Sequence, residues 1–209
     1  MTSSSLLCFL GASVALTFAP GPDITFVITQ GISRGRKSAI ISALGMCSGV
    51  SVHTTAAALG ISAALYSSAM AFTILKFAGA AYLLYLAWMA VKDPVSARIA
   101  ASGSQEDQPW SVLFRRGFMM NVVNPKVGLF FLAFLPQFIS QGEGNIPLQM
   151  FVLGLVFMLQ AVLVFSFVGY LSGGFGDLLS KRPGIAKYFA WLSAGVFAGL
   201  GLKLALAQR

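Results

Sequence analysis

A helix-breaking motif interrupts a long apolar segment near the start of this chain. Residues 6–32 carry a single charge, and it lies in Pro-Gly-Pro-Asp, residues 20–23. Two prolines and a glycine break a helix, because proline lacks the amide N–H and clashes with the preceding turn. In a bilayer, a broken backbone is tolerated only where protein buries it or where it lines a polar cavity. A carboxylate at such a break therefore predicts a functional site.

A second break of the same kind is Asn-Pro-Lys at 124–126. Asparagine is a good helix N-cap and proline a good first helical residue, and Gly21 and Pro22 take the same two places in the first break. The residues that follow, Asp23 and Lys126, carry opposite charges. We therefore expect two half-helices that begin near the bilayer midplane with positive dipole ends. Together they offer an anion, a cation and free N–H groups, which is the set that a zwitterion needs.

Composition places the chain in a membrane. Its 209 residues are 57% hydrophobic and 10% charged, with a mean hydropathy of +0.81, whereas soluble domains are about 25% charged. The net charge of +8 comes from residues in short loops between apolar runs, so we expect a lipid bilayer and no nucleic acid as the partner. The two cysteines and the lone histidine lack the spacing of a disulfide or metal site. No cofactor motif is present, and the G-x-S-x-G match at 31–35 lies in a basic turn with no strand before it, so no enzyme is predicted.

Six apolar runs are long enough to span a bilayer: 6–31, 39–65, 69–91, 115–138, 147–171 and 187–206. The first lacks the positive start of a signal peptide and is interpreted as a retained span. The polar stretch 92–114 is predicted to be a cytoplasmic linker between two three-helix halves, residues 1–91 and 115–209. Three spans per half make the second half enter from the opposite face, as in inverted-repeat transporters. The predicted fold is therefore an all-α integral membrane protein in which spans 1 and 4, the first of each half, are broken at proline.

Basic residues set the expected orientation. Most fall in the loops after span 1, around the central linker and between spans 5 and 6: Arg34, Arg36, Lys37, Lys92, Arg98, Arg115, Arg116, Lys181, Arg182 and Lys187. The positive-inside rule places these loops in the cytoplasm. With six spans, both termini then lie outside a cell membrane.

Three further polar residues lie within predicted spans. Asn121 is one turn before Asn124 and faces the same cavity if the helix is regular. His53 is either a hydrogen-bonded core histidine or a proton-coupling group, and Gln160 either lines the path or bonds a neighbouring helix. The predicted substrate-binding residues are Pro20, Gly21, Pro22, Asp23, Asn121, Asn124, Pro125 and Lys126. Proton coupling is assigned to Asp23 and His53, and cavity lining to Gln160.

The alternative for Asp23 and Lys126 is a structural ion pair in a kinked bundle. Each charge at the bilayer centre costs about 2.5–3.5 kcal/mol, and apolar residues would hold such a bundle without that cost, so function is favoured. The glycine pairs Gly45/Gly49 and Gly195/Gly199 are expected to let helix backbones approach closely within the chain. Assembly into a homo-oligomer is left open.

Three stretches carry a resemblance to a known family: PGPDITFVITQGISRGRKSAIISALGMCSGVSVH from Pro20, KFAGAAYLLYLAW from Lys76 and NPKVGLFFLAFLPQF from Asn124. They resemble the lysine-exporter (LysE/RhtB) family, over nearly the whole chain. The resemblance implies export of small amino acids, such as threonine or homoserine, driven by the proton-motive force. The family's motif positions matched here are Pro20, Gly21, Pro22, Asn124 and Pro125. The competing hypotheses are a membrane-embedded enzyme, for which no nucleophile and base lie within reach, and an accessory subunit with a dry centre.

Overall fold

The computed structural model describes residues 3–19, 21–67, 69–92, 108–140, 144–181 and 183–206, and the regular elements in these ranges are all helical. The helices are α1 (Ser3–Phe18), α2 (Pro22–Arg34), α3 (Arg36–Ser67), α4 (Ala69–Lys92), α5 (Trp110–Val122), α6 (Pro125–Leu129), α7 (Ile146–Lys181) and α8 (Pro183–Leu206). The all-α prediction is confirmed for these ranges. Pro20 and residues 93–107, the middle of the predicted linker, lie outside them.

The helix that follows the second break changes its winding twice. After α6 the chain makes a π turn over Phe130–Phe134 and then a 3-10 turn over Leu135–Phe138. Pro136 accounts for the second change, because it has no N–H for the carbonyl four residues earlier. π turns are rare and occur frequently at functional sites.

The two predicted breaks are sharp bends. The axes of α1 and α2 meet at 54°, and those of α5 and the segment Pro125–Phe138 meet at 47°. Within the described ranges, Arg36–Gly60 in α3 and Ile146–Ser172 in α7 are each long and apolar enough to cross a bilayer alone. Counting each bent pair as one span gives up to four candidate spans.

Close glycine contacts show that α3 and α5 run in the same direction. A Cβ on Gly45 would meet the backbone of Phe114, and a Cβ on Gly49, one turn later, would lie 2.9 Å from the Asn121 side chain. The prediction of close packing within the chain is thus confirmed for Gly45 and Gly49. It is wrong for Gly195 and Gly199, since no described atom lies within 4 Å of a Cβ at either position.

Helices α2 and α7 make the equivalent contact, also in parallel. A Cβ on Gly31 would meet the Ser172 side chain, while the Val27 side chain lies 3.4 Å from the Cβ position of Gly169. Gly169 also faces Ala39 of α3, so α7 packs against both α2 and α3. Gly35, with φ 86°, makes the tight turn between these two helices, a conformation that favours glycine.

One side of the bundle is filled with phenylalanine rings. Six side chains from α1, α7 and the segment after α6 contact one another with ring centroids 5.0–6.0 Å apart: Phe9, Phe130, Phe131, Phe134, Phe138 and Phe157. We call this group the aromatic cluster. Four of the six residues follow the second break in the sequence, and all six side chains are buried. The cluster therefore closes the bundle on the side toward which α6 continues.

Candidate functional site

The two breaks bring opposite charges into contact. Nζ of Lys126 lies 2.6 Å from Oδ2 of Asp23, and the two side chains are 2% and 3% exposed. Both charged groups are therefore withdrawn from solvent and lipid. A buried pair of this kind needs good geometry and further hydrogen bonds, because desolvation offsets much of its attraction.

The first break has the predicted helix start. Gly21 is the N-cap of α2 in an extended conformation, and Pro22 is the first helical residue. The Gly21 carbonyl accepts hydrogen bonds from both the N–H and the hydroxyl of Thr25, at 3.1 and 2.8 Å. Gly21 has no side chain with which to cap the first turn of α2, so the N–H groups of this turn point toward the break with the positive end of the helix dipole.

The second break has the same design with a side-chain cap. The Asn124 side chain accepts a hydrogen bond from the Lys126 N–H at 3.0 Å, and Pro125 is the first residue of α6. The Lys126 ammonium also donates to the Ala19 carbonyl at 3.3 Å. This carbonyl lies just beyond α1, where a cation is stabilised by the negative end of the helix dipole.

Several buried polar atoms near the ion pair have no hydrogen-bond partner among the residues that the structure describes. They are Asp23 Oδ1, Asn121 Oδ1, Asn124 Nδ2 and Gln160 Oε1. Folded proteins satisfy the large majority of such atoms, and each one left unpaired costs about 1–3 kcal/mol. Three of the four are acceptors, so this region has unmet capacity for a donor such as an ammonium group.

A small cavity adjoins the ion pair. It measures about 10 Å³, which is about the least volume that holds one water molecule. Its walls are mostly apolar and comprise Leu16, Thr17, Asp23, Cys47, Val50, Asn121, Lys126, Val127, Phe157, Ala161 and Phe165. The site therefore has room for about one water molecule, and its polar lining consists of Thr17, Asp23, Asn121 and Lys126.

Gly21 protects the space beside the pair. A Cβ at this position would lie 2.8 Å from Asp23 Oδ1 and 3.3 Å from Lys126 Nζ. Both distances are shorter than ordinary contacts, so any larger residue would displace at least one charged group. The backbone conformation of Gly21 is extended and available to any residue. Glycine is therefore needed here because the charged groups approach its backbone closely.

His53 and Gln160 do not line the cavity, but each forms a hydrogen bond with a residue that does. His53 Nε2 is 2.9 Å from the Asn121 carbonyl, which can only accept, so Nε2 carries a proton. Its ring centroid is 6.2 Å from that of Phe131. Gln160 donates from Nε2 to the Thr17 hydroxyl at 2.9 Å, and Thr17 lines the cavity. The sequence did not identify Thr17 or the apolar wall residues, because their helices are apolar on most sides.

Comparison with known proteins gives a match over most of the chain. The family model described as LysE type translocator matches residues 14–208. The uncharacterized membrane protein YrhP of Bacillus subtilis is 30% identical over 97% of this chain and 99% of its own length. Leucine efflux proteins of Klebsiella pneumoniae and Salmonella choleraesuis are 29% and 26% identical, over 97% and 96% of this chain and 95% and 94% of their own lengths. No solved structure gives a significant match. Together with the apolar helices, these matches identify a multi-pass membrane protein, as predicted.

Proposed function

This chain belongs to the LysE type translocator family, and from that premise we propose that it exports small amino acids, which bind between the two helix breaks. The observation that carries the proposal is the buried Asp23–Lys126 pair at 2.6 Å. An amino acid has the same two charges as this pair, and it can exchange partners with it. The relatives named leucine efflux proteins support an amino acid as the substrate class.

The exchange assigns a role to each group. The substrate carboxylate binds the Lys126 ammonium and the uncapped N–H groups of α2, where charge-assisted hydrogen bonds and the helix dipole favour an anion. The substrate ammonium binds the Asp23 carboxylate and the unpaired amide oxygen of Asn121. Without substrate, Asp23 and Lys126 neutralise each other, so the empty site carries no net charge.

We propose the six-span inverted repeat as the frame of this site, with halves 1–91 and 115–209. The helix directions support it, because exchanging the halves converts the contact of span 1 with span 5 into the contact of span 4 with span 2, and the helices are parallel in both contacts. The parallel α3 and α5 also place their basic starts, at Arg36–Lys37 and Arg115–Arg116, on one side of the bundle. This side is the cytoplasmic side by the positive-inside rule, which leaves both termini outside.

The site is closed toward both sides. The aromatic cluster closes it on the side of Phe138. The glycine contacts of α7 with α2 and α3 close it on the side of the basic residues, where Arg36 also stacks 4.5 Å from the Tyr170 ring centroid. Export requires these two closures to open in turn, as in rocking of one repeat against the other.

Asp23 is also the proposed proton carrier. When the substrate leaves on the outer side, Asp23 takes up a proton there, and it releases that proton to the cytoplasm before it pairs with Lys126 again, which couples proton entry to export. His53 is a less direct candidate, since its Nε2 proton is bound to the Asn121 carbonyl. Its position favours a role in holding the end of α5.

Export from cells tests the proposal. Cells that make the wild type, Asp23→Asn or Lys126→Met are loaded with labelled leucine, and its appearance outside is timed. We expect wild-type export and a loss of at least about tenfold in both variants, because a charge-assisted bond contributes about 1.5–3 kcal/mol. Lys76→Met is the matched control, since Lys76 lies on α4 beside the exposed Phe77 ring, away from the aromatic cluster and outside the cavity lining. Equal export by the wild type and both site variants would contradict the assigned roles.

A further inference from the structure

One face of α7 contributes three residues to the cavity lining. Phe157, Ala161 and Phe165 are spaced four residues apart, so they lie on one face of the helix, and all three line the cavity. Ala161 is 1% exposed and lies about one helical turn from each phenylalanine along α7. The wall therefore has a recess of one small side chain flanked by two large ones.

The walls away from the charges are apolar. Leu16, Val50 and Val127 join the α7 residues in the lining, and Cys47 adds a weakly polar thiol. The remaining polar side chains in the lining, apart from Thr17, belong to Asp23, Asn121 and Lys126. The polar and apolar parts of the lining match the two ends of an amino acid, the charged head and an aliphatic side chain.

The Thr17 hydroxyl is already engaged. It donates to the Ser13 carbonyl at 2.8 Å and accepts from Gln160 at 2.9 Å. A substrate hydroxyl that lay against the α7 face, at Phe157, Ala161 and Phe165, would lose its bonds to water and find no polar partner there, and Thr17 has no proton left to donate to it. Leaving such a hydroxyl unpaired costs about 1–3 kcal/mol, so threonine and homoserine are disfavoured relative to aliphatic amino acids.

We infer that the recess at Ala161 receives the substrate side chain, that Ala161 sets the largest side chain accepted, and that the substrates are aliphatic amino acids. The inference depends on the proposed binding of the substrate between the two breaks. Its starting point is the closed cavity of about 10 Å³, so the wall must move away from the ion pair as the substrate binds. Because Phe157 also packs against Phe130 and Phe131 of the aromatic cluster, a side chain in the recess is in position to move the cluster.

Selectivity among paired substrates tests Ala161. Cells are loaded with equal labelled alanine and leucine, and the ratio of leucine to alanine export is measured for the wild type, Ala161→Leu and Ala161→Gly. A ratio is independent of the amount of folded protein. We expect Ala161→Leu to lower it about tenfold or more and Ala161→Gly to maintain or raise it, because one methylene in an apolar pocket changes discrimination about 10–200-fold. Ala57→Leu is the matched control, since Ala57 is buried in α3 and does not line the cavity.

Valine and threonine, which have nearly the same shape, test the apolar lining. We expect the wild type to export valine at least about tenfold faster than threonine, the discrimination of an apolar pocket against a hydroxyl. An unchanged leucine-to-alanine ratio in Ala161→Leu would overturn the assignment of Ala161. If that variant yields no protein, the assignment is overturned by a leucine-to-alanine ratio in Ala161→Gly that is lower than in the wild type. Equal valine and threonine export would overturn the aliphatic class. A wild type that exports none of the four amino acids would overturn the proposed function itself.

Discussion

Lys126 makes three contacts outside its own helix. Its ammonium pairs with Asp23, donates to the Ala19 carbonyl, and lies 5.8 Å from the centroid of the Phe197 ring. All three partners belong to other helices or their ends. A lysine that is 1% exposed remains charged at low cost only when such partners replace its lost hydration.

The neighbouring glycine gives a residue-scale prediction. Gly21→Ala places a methyl group against both charged groups, so the ion pair must shift and both export and stability decline. We expect a loss of about 1–3 kcal/mol in the free energy of unfolding, as for overpacked sites. Thermal unfolding in detergent and leucine efflux measure the two effects. Gly11→Ala is the control, because no described atom lies within 4 Å of its Cβ position, and equal effects of the two variants would contradict this role of Gly21.

The sequence indicated those site residues whose side-chain type is rare in an apolar span. Asp23 and Lys126 stand out because charges are few within apolar runs. Thr17, Ala161 and Phe165 do not, because their types are common in any membrane helix. Their place in the cavity depends on helix rotation, and a helix that is apolar on most sides gives no signal for rotation.

At the scale of elements, the two helix starts were predictable from local rules. Gly21–Pro22 and Asn124–Pro125 take the N-cap and first helical positions as expected. The π turn over Phe130–Phe134 was not expected, because it depends on how the phenylalanine rings pack against α1 and α7 rather than on local propensity. Helix ends also differ: α7 reaches Lys181 although the predicted span ended at 171, since a helix continues beyond the apolar run when later residues allow it.

The contact between α3 and α5 gives a prediction at the scale of elements. A Cβ on Gly117 would meet the Ser42 carbonyl of α3, and a backbone group cannot rotate away. Gly117→Ala should therefore separate the helices and lower the unfolding temperature in detergent, at a cost of about 1–3 kcal/mol. Gly199→Ala, in α8, should have no such effect, because its Cβ position is open. Equal unfolding temperatures for the two variants would show that α3 and α5 do not pack this closely.

At the scale of the whole molecule, the sequence indicated that two broken helices meet, and the structure brings their charges to 2.6 Å. The polar cavity expected at the two breaks is small in the structure, in which the space beside the pair holds about one water. Hydropathy indicates which segments enter a bilayer, whereas the space left at the breaks depends on how side chains from six helices pack together. The six-span inverted repeat follows from charge distribution and helix direction and stays a prediction.

The central claim is that Asp23 and Lys126 exchange their mutual bond for the two charges of an amino acid. It is tested most directly by binding of labelled leucine to the purified protein, in competition with 4-methylpentanoate, which lacks the ammonium, and 3-methylbutylamine, which lacks the carboxylate. We predict that unlabelled leucine displaces the label from the wild type and that each analogue does so at least about tenfold less well. We also predict that Asp23→Asn and Lys126→Met bind leucine at least about tenfold more weakly than the wild type does. Equal competition by leucine and both analogues, or wild-type leucine binding by both variants, would contradict the claim.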